Sequence, residues 1–331
     1  MCLYTRYIEN RKYKPTRKNG YNPPLLKDGR LKYVPVKCGK CIECRKEKKR
    51  EWLARLSEEI RNDNKCTFVT LTFNDQSMNG LYKDIYGHVK KDPNHEEEHM
   101  LTTTAVRRFL ERIRKITGKS IKHWLITEKG EDFNRIHLHG LLWGNPKLLK
   151  MWNYGYTYTG TFVNEKTINY ITKYMLKTPE KDRTFVGKIY CSAGLGKGYL
   201  KRLDAVLNKY KEGRTNETYR TRKGTIINLP QYYRNKIYSE DERERLWIEK
   251  QERGYRYICG EKVSTDNLEE WENLTKYYQE RAQRIYGENP EEWDKEKQKR
   301  RLQRMKAARE KQRKVINKLL TRNEHSYEQV N

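Results

Sequence analysis

The stretch Ile136-His137-Leu138-His139-Gly140-Leu141-Leu142-Trp143 constrains the fold of this chain most. Its side chains alternate with a period of two, the signature of a β-strand. His137 and His139 then share one face. Ile136 and Leu138 share the other, which suits a core. Residues 121–128 form a second strand, joined to the first by a polar turn at Lys129–Arg135. Cys66-Thr67-Phe68-Val69-Thr70-Leu71-Thr72-Phe73 is β-branched and aromatic and predicts another strand. Tyr156–Val163 adds a further one.

Helical spacing separates these segments. Trp52, Leu53, Leu56 and Ile60 fall on one side of a helix over 42–62. Val106, Phe109, Leu110, Ile113 and Ile116 mark a second amphipathic helix. A third spans 165–177, with Asn164 as its N-cap. Residues 9–33, with Pro15, Pro23 and Pro24, predict an extended arm, and 74–101 a polar loop. The reading is α+β in three parts. Residues 1–62 are an arm with cysteines and a helix, and 63–238 carry the sheet. Residues 239–331 are a charged, mostly helical region of solvated helices rather than a second packed core. There, Leu268, Trp271, Leu274 and Tyr278 keep helical spacing. Asn289-Pro290-Glu291-Glu292 reads as a helix start, and Trp293, Leu302, Met305 and Val315 continue it sparsely.

Charge narrows the partner. Lysine and arginine total 72 against 44 acidic residues, a formal net charge of +28 over 331 residues. Such a field favours a polyanion, because each neutralised phosphate releases counterions. The 25 tyrosines and 7 tryptophans suit stacking on the bases of a single strand. No apolar run approaches the ~20 residues of a membrane span. Met1–Arg6 lacks the apolar core of a secretory signal. A soluble intracellular protein with reduced thiols is expected, with no membrane partner. Gly118-Lys119-Ser120 lacks the upstream glycine of a phosphate-binding loop, so no ATPase or helicase signature is present.

Three groups of residues carry chemistry. His137 and His139 can jointly ligate a divalent metal. A hairpin brings Glu128 beside them as an oxygen ligand, with Glu131 and Asp132 as nearby competitors. In the 165–177 helix, Ile168, Ile171 and Met175 form one stripe. Tyr170 and Tyr174 lie together on the opposite side, flanked by Lys173 and Lys177. The same residues would also suit surface histidines on an edge strand, a solvated glutamate and partly buried packing tyrosines.

Taken in order, the strand 68–73, the pattern 136–141 and Tyr170-x-x-Lys173-Tyr174-x-x-Lys177 resemble the three motifs of HUH endonucleases. They are most similar to the two-tyrosine rolling-circle replication initiators of small single-stranded DNA phages. Met1-Cys2-Leu3-Tyr4, the cysteine cluster and Gly194-Leu195-Gly196-Lys197-Gly198-Tyr199 look like the replication proteins of gokushovirus-like microviruses. The resemblance covers about 1–250. It implies a five-stranded antiparallel sheet with the histidines at its centre, faced by the tyrosine helix. It implies Mg²⁺ or Mn²⁺ on His137, His139 and Glu128, Tyr170 or Tyr174 as nucleophile helped by Lys173, and Lys177 on a DNA phosphate. The reaction would nick single-stranded or supercoiled viral origin DNA through a 5′-phosphotyrosine intermediate. It would then rejoin the displaced strand into a circle, alongside a host helicase and DNA polymerase in the bacterial cytoplasm. A relaxase or transposase of the same superfamily, and a basic nucleic-acid-binding protein without catalysis, are the alternatives. If the tyrosines look at the sheet, the Ile168/Ile171/Met175 stripe needs another cover. Segment 185–237, with Phe185, Val186, Ile226 and Ile227, is expected to supply it.

Cys38-Gly39-Lys40-Cys41-Ile42-Glu43-Cys44 places three thiols at close spacing, and Cys2 is the available fourth for a structural Zn²⁺. An iron–sulfur cluster and metal-free thiols are the alternatives. Cys66, Cys191 and Cys259 are isolated.

Overall fold

The computed structural model describes residues 1–295 and 298, apart from 91–92, 131–133, 161, 178 and 180–184. The N-terminal arm pairs β1 (Arg6–Glu9) with β2 (Tyr33–Val36) and leads into α1 (Ile42–Asn62). Strand β3 (Cys66–Leu71) is followed by helices α2 (Asp75–Tyr86) and α3 (His95–Thr117). The hairpin of β4 (Lys122–Lys129) and β5 (Ile136–Trp143) comes next, then β6 (Thr157–Gly160), α4 (Glu165–Lys173) and β7 (Ile189–Cys191). Beyond it lie α5 (Leu203–Leu207), the hairpin β8 (Thr218–Arg220) and β9 (Ile226–Asn228), α6 (Gln231–Ile237) and α7 (Glu240–Glu252). A last hairpin, β10 (Tyr255–Ile258) and β11 (Glu261–Ser264), precedes α8 (Leu268–Tyr286).

The fold is α+β around a five-stranded antiparallel sheet of order β6-β3-β5-β4-β7. Strand β5 is central, and the alternation read from its sequence decides what each face meets. Ile136, Leu138 and Leu142 join Val69, Leu71 and Leu125 on one face, under Leu101, Phe109 and Ile113 of α3 and Leu81 of α2. Leu141 and Trp143 join Trp124 and Ile126 on the opposite face, under Trp52 and Leu56 of α1 and Ile168 and Ile171 of α4. The histidines belong to this second face. Gly140 is forced by the pairing. A Cβ there would stand 2.0 Å from the Trp124 carbonyl oxygen.

Several expectations change. The stretch 74–101 is not a loop. Asn74 caps α2 by accepting from the Ser77 N–H, and Gly87 ends it in the left-handed region. Asn94 and Glu97 form a capping box that starts α3 eleven residues before Val106. The helix over 165–177 ends at Lys173. After it the Met175 and Leu176 N–H groups reach back three residues to Thr172 and Lys173, a tightened last turn.

The cover of the Ile168/Ile171/Met175 stripe also differs from expectation. Helix α1 and the sheet supply it, with only Leu195 and Ile189 from the 185–237 segment. Phe185 packs on the opposite face of the sheet, Ile227 joins a third cluster and Ile226 is exposed. That third cluster is built on Tyr199, Tyr219, Tyr233 and Tyr238 with Leu246 of α7, so part of the tyrosine excess is core.

Met1–Tyr286 form one compact unit and Gly287–Asn331 a second. In the second, Asn289 accepts from the Glu292 N–H, the cap expected there. Leu302, Met305 and Val315 lie outside the described residues.

Candidate functional site

Register brings the candidates together. Glu128 of β4 pairs with His137 of β5, and Thr70 of β3 pairs with His139. Paired residues share a face, so Glu128, His137, His139 and Thr70 all look toward α4. Glu128 is 7% exposed. Its Oε2 lies 2.7 Å from His139 Nε2, and its Oε1 accepts from Lys177 Nζ. Thr70 Oγ1 is 3.0 Å from His139 Nδ1. A neutral ring that donates from Nε2 to Glu128 leaves Nδ1 to accept from the threonine hydroxyl. Burial opposes ionisation of Glu128, but the hydrogen bonds from His139 and Lys177 outweigh it and hold the carboxyl below its usual range. Burial, then the adjacent His139, pulls His137 below the ordinary imidazole value.

Helix α4 supplies the phenols. Its N-cap Asn164 accepts from the Lys166 and Thr167 N–H groups, which fixes where the helix starts and so which residues face the sheet. The Tyr174 ring stacks on His139 at 4.3 Å and 11°. The Tyr174 hydroxyl donates to the Tyr170 hydroxyl at 2.5 Å. Burial, the bond to Tyr170 and the charge of Glu128 push the Tyr174 phenol above its ordinary value. Tyr170 is 49% exposed and meets Phe68 edge-on at 6.1 Å.

Lys173 is exposed, and its side chain makes no hydrogen bond or ion pair among the described residues. Lys177, expected on a DNA phosphate, reaches Glu128 instead. The competing ligands Glu131 and Asp132 lie outside the described residues.

Two imidazoles and a carboxylate on one sheet face are the donor chemistry of a divalent-metal site. Their nitrogen and oxygen atoms do not gather into one group within 4.8 Å. Among the described residues, only Cys2, Cys38, Cys41 and Cys44 do so. His139 and Glu128 are in contact, while His137 stands beside them, its ring 6.4 Å from that of His139.

Three neighbours escaped the sequence reading as site residues. Thr70 orients His139. Phe68 lies against both His139 and Tyr170. Gly130 leaves room for His137, since a Cβ there would come within 2.9 Å of its ring. Alternation in β3 puts Phe68 and Thr70 on one face, but only pairing with β5 says that it is the histidine face.

Surfaces around the site are aromatic and basic. Tyr158 of the edge strand pairs with Thr70 on the same face and meets Phe68 at 6.4 Å, with 52% of its surface exposed. A cleft of about 380 Å³ opens between α1, α4 and the β8–β9 hairpin. Lys46, Lys49, Arg50, Asn169, Arg222 and Lys223 line it.

Residues 66–179 match the model of a family of viral replication initiators, described as Replication-associated protein ORF2. The matched stretch runs from the first residue of β3 past the tyrosine segment, so it contains every residue of the His–Glu–Tyr group. The match supports a role in replication, with nucleic acid as partner. No curated protein and no solved structure matches the chain. Among the described residues no helix is long and apolar enough to cross a membrane.

Proposed function

We propose that this chain is a replication initiator of the two-tyrosine HUH type. On this reading it nicks single-stranded viral origin DNA and rejoins the displaced strand. One observation carries the reading: Tyr174 stacked on His139 and bonded to Tyr170, beside a buried carboxylate. A tyrosine pair placed on an imidazole–carboxylate group can deliver a phenol oxygen to a phosphate lying on that face.

The chemistry is a transesterification. The phenol oxygen bonds to phosphorus and its proton departs. The bond from phosphorus to the 3′-oxygen breaks, and that oxygen ends as a 3′-hydroxyl. One phosphodiester-type bond replaces another, so rejoining needs no nucleotide hydrolysis. Tyr170, exposed and accepting the hydroxyl of Tyr174, is the phenol open to the first strand. Tyr174 stays shielded against His139 and serves the second cleavage. Lys173 faces solvent one residue before Tyr174, in position to offset phosphate charge. When bound by His137, His139 and Glu128, Mg²⁺ or Mn²⁺ would polarise the scissile phosphate and offset the charge that develops there. The aromatic face at Tyr158 suits stacking of bases next to the scissile bond.

Mass spectrometry after incubation with a viral-strand origin oligonucleotide and Mg²⁺ tests this. A covalent 5′-adduct is expected on Tyr170, and Tyr170→Phe with Tyr174→Phe should abolish it while binding persists. Adduct surviving the double change rules the reading out.

A second reading has one observation in its favour. Lys177 occupies Glu128, so the Lys177–Glu128–His139 row also makes sense as an ion-pair network in a basic nucleic-acid-binding protein. That reading expects no adduct at all and no effect of EDTA.

A further inference from the structure

The N-terminal arm has little to hold it. Strands β1 and β2 form a two-stranded sheet whose side chains are mostly exposed, and such a ribbon is marginal in water. At its base, Cys2 is 2% exposed, Cys41 0% and Cys44 7%, with Cys38 partly covered. The four Sγ atoms all lie within 4.8 Å of one another, although Cys2 is 36 residues from Cys38.

We propose that Cys2, Cys38, Cys41 and Cys44 bind one zinc ion as a tetrathiolate, and that this ion fastens the N-terminus to the start of α1. This site is independent of the nicking reading.

Geometry selects the ion. A Zn–S bond of ~2.3 Å in a tetrahedron gives sulfur–sulfur edges of ~3.8 Å. Cys38 Sγ and Cys44 Sγ stand 3.9 Å apart. An iron–sulfur cluster places several iron atoms and sulfides between its cysteines and spreads their sulfurs wider than this group allows.

The backbone is arranged for thiolates. Gly39 takes φ 76°, the left-handed turn that lets the chain fold back between Cys38 and Cys41. The Cys38 N–H donates to Cys2 Sγ at 3.2 Å and the Cys41 N–H to Cys38 Sγ at 3.3 Å. Cys41 is the N-cap of α1 and Cys44 lies in its first turn, where the helix dipole favours negative charge. Four thiolates around Zn²⁺ carry a net charge of −2, and Arg45, 5% exposed, places a buried cation next to Cys44 in sequence.

The consequence reaches past the arm. Helix α1 carries Trp52 and Leu56 onto Trp124 of the sheet and Ile168 and Ile171 of α4. Gln279 of α8 donates to the Leu3 carbonyl at 2.7 Å. The ion thus anchors the strand of chain that α8 contacts and the first turn of the helix that backs α4. Where apolar burial is thin, metal binding itself supplies folding energy.

The test is metal analysis of the purified full-length chain by inductively coupled plasma mass spectrometry. One zinc per chain is expected, retained in Cys191→Ser. In Cys38→Ser zinc should fall by more than the roughly 10–100-fold typical of changes to residues behind a ligand. Should Cys38→Ser fail to fold, cobalt exchange of the wild-type protein decides. A tetrahedral all-sulfur Co²⁺ spectrum supports the site. Iron in place of zinc, substoichiometric metal, two disulfides among the four cysteines, or a cobalt spectrum without sulfur ligation overturns it.

Discussion

Glu128 is a carboxylate shared between two cations. His139 takes one oxygen and Lys177 the other, and together they keep it ionised despite burial. Its place beside the histidines was legible because a hairpin with alternating faces can put Glu128 only there. Thr70 and Phe68 were not, because a strand's face is known only once its neighbour is. The same holds for Tyr158, whose place beside Phe68 depends on β6 pairing with β3 rather than with β7. It carries a prediction of its own. Tyr158→Ala is expected to weaken binding of a short single-stranded oligonucleotide by about 1–3 kcal/mol, the usual value of one base–aromatic stack. Fluorescence anisotropy reads it, and unchanged affinity would remove Tyr158 from the DNA path.

At the scale of elements, the helix carrying the tyrosines does two jobs. Its stripe of Ile168, Ile171 and Met175 packs against α1 and the sheet, while Tyr174 reaches across to His139. Both follow from the helical period, but the identity of the cover did not. The long α1 was read with correct ends and yet not expected on that stripe. Helix α2 escaped because its polar residues hid Leu81 and Tyr82, though Asn74 and Gly87 were its cap signals.

Helix α3 makes a pH prediction. His99 lies stacked on Phe185 at 5.5 Å, and burial, then the charge of Lys188, lowers it to about 4. A histidine buried neutral binds its proton more readily when unfolded. Its contribution is therefore present above the unfolded value near 6.5 and is lost as pH falls from there toward 4. Between those limits wild type is expected to lose about 2–3 kcal/mol more than His99→Gln, in denaturant titrations at each pH. Parallel pH profiles would contradict this.

Across the whole molecule, the net charge of +28 meets a specific shape. Arg50 of α1 and Arg222 of the β8–β9 turn face one cleft beside the tyrosine helix. Binding of single-stranded DNA is expected to weaken with salt, on a log–log slope of about −0.7 per phosphate neutralised. Arg50→Gln with Arg222→Gln should make that slope shallower by about 1.4 if both hold phosphates. An unaltered slope would place the strand elsewhere. The tyrosines divide on this scale too. Tyr199, Tyr219 and Tyr233 are buried, and Tyr219 donates to the equally buried Glu58 at 2.7 Å. Composition counts them with the exposed ones, so it overstated the surface available to bases.

What local pattern decides is therefore clear. Strands and helices with strong periods, the face shared by His137 and His139, the pairing of Tyr170 with Tyr174, and the cysteine spacing are all properties of neighbours in sequence. Periodicity and turn length specify them without knowledge of the rest of the chain. Tertiary structure alone chose the strand order, the seat of α4 over His139, the contact of Lys177 with Glu128 and the meeting of Cys2 with Cys38. Each joins residues far apart in sequence. No local preference encodes such a contact, because it forms only when burial of both sheet faces fixes which elements can lie side by side.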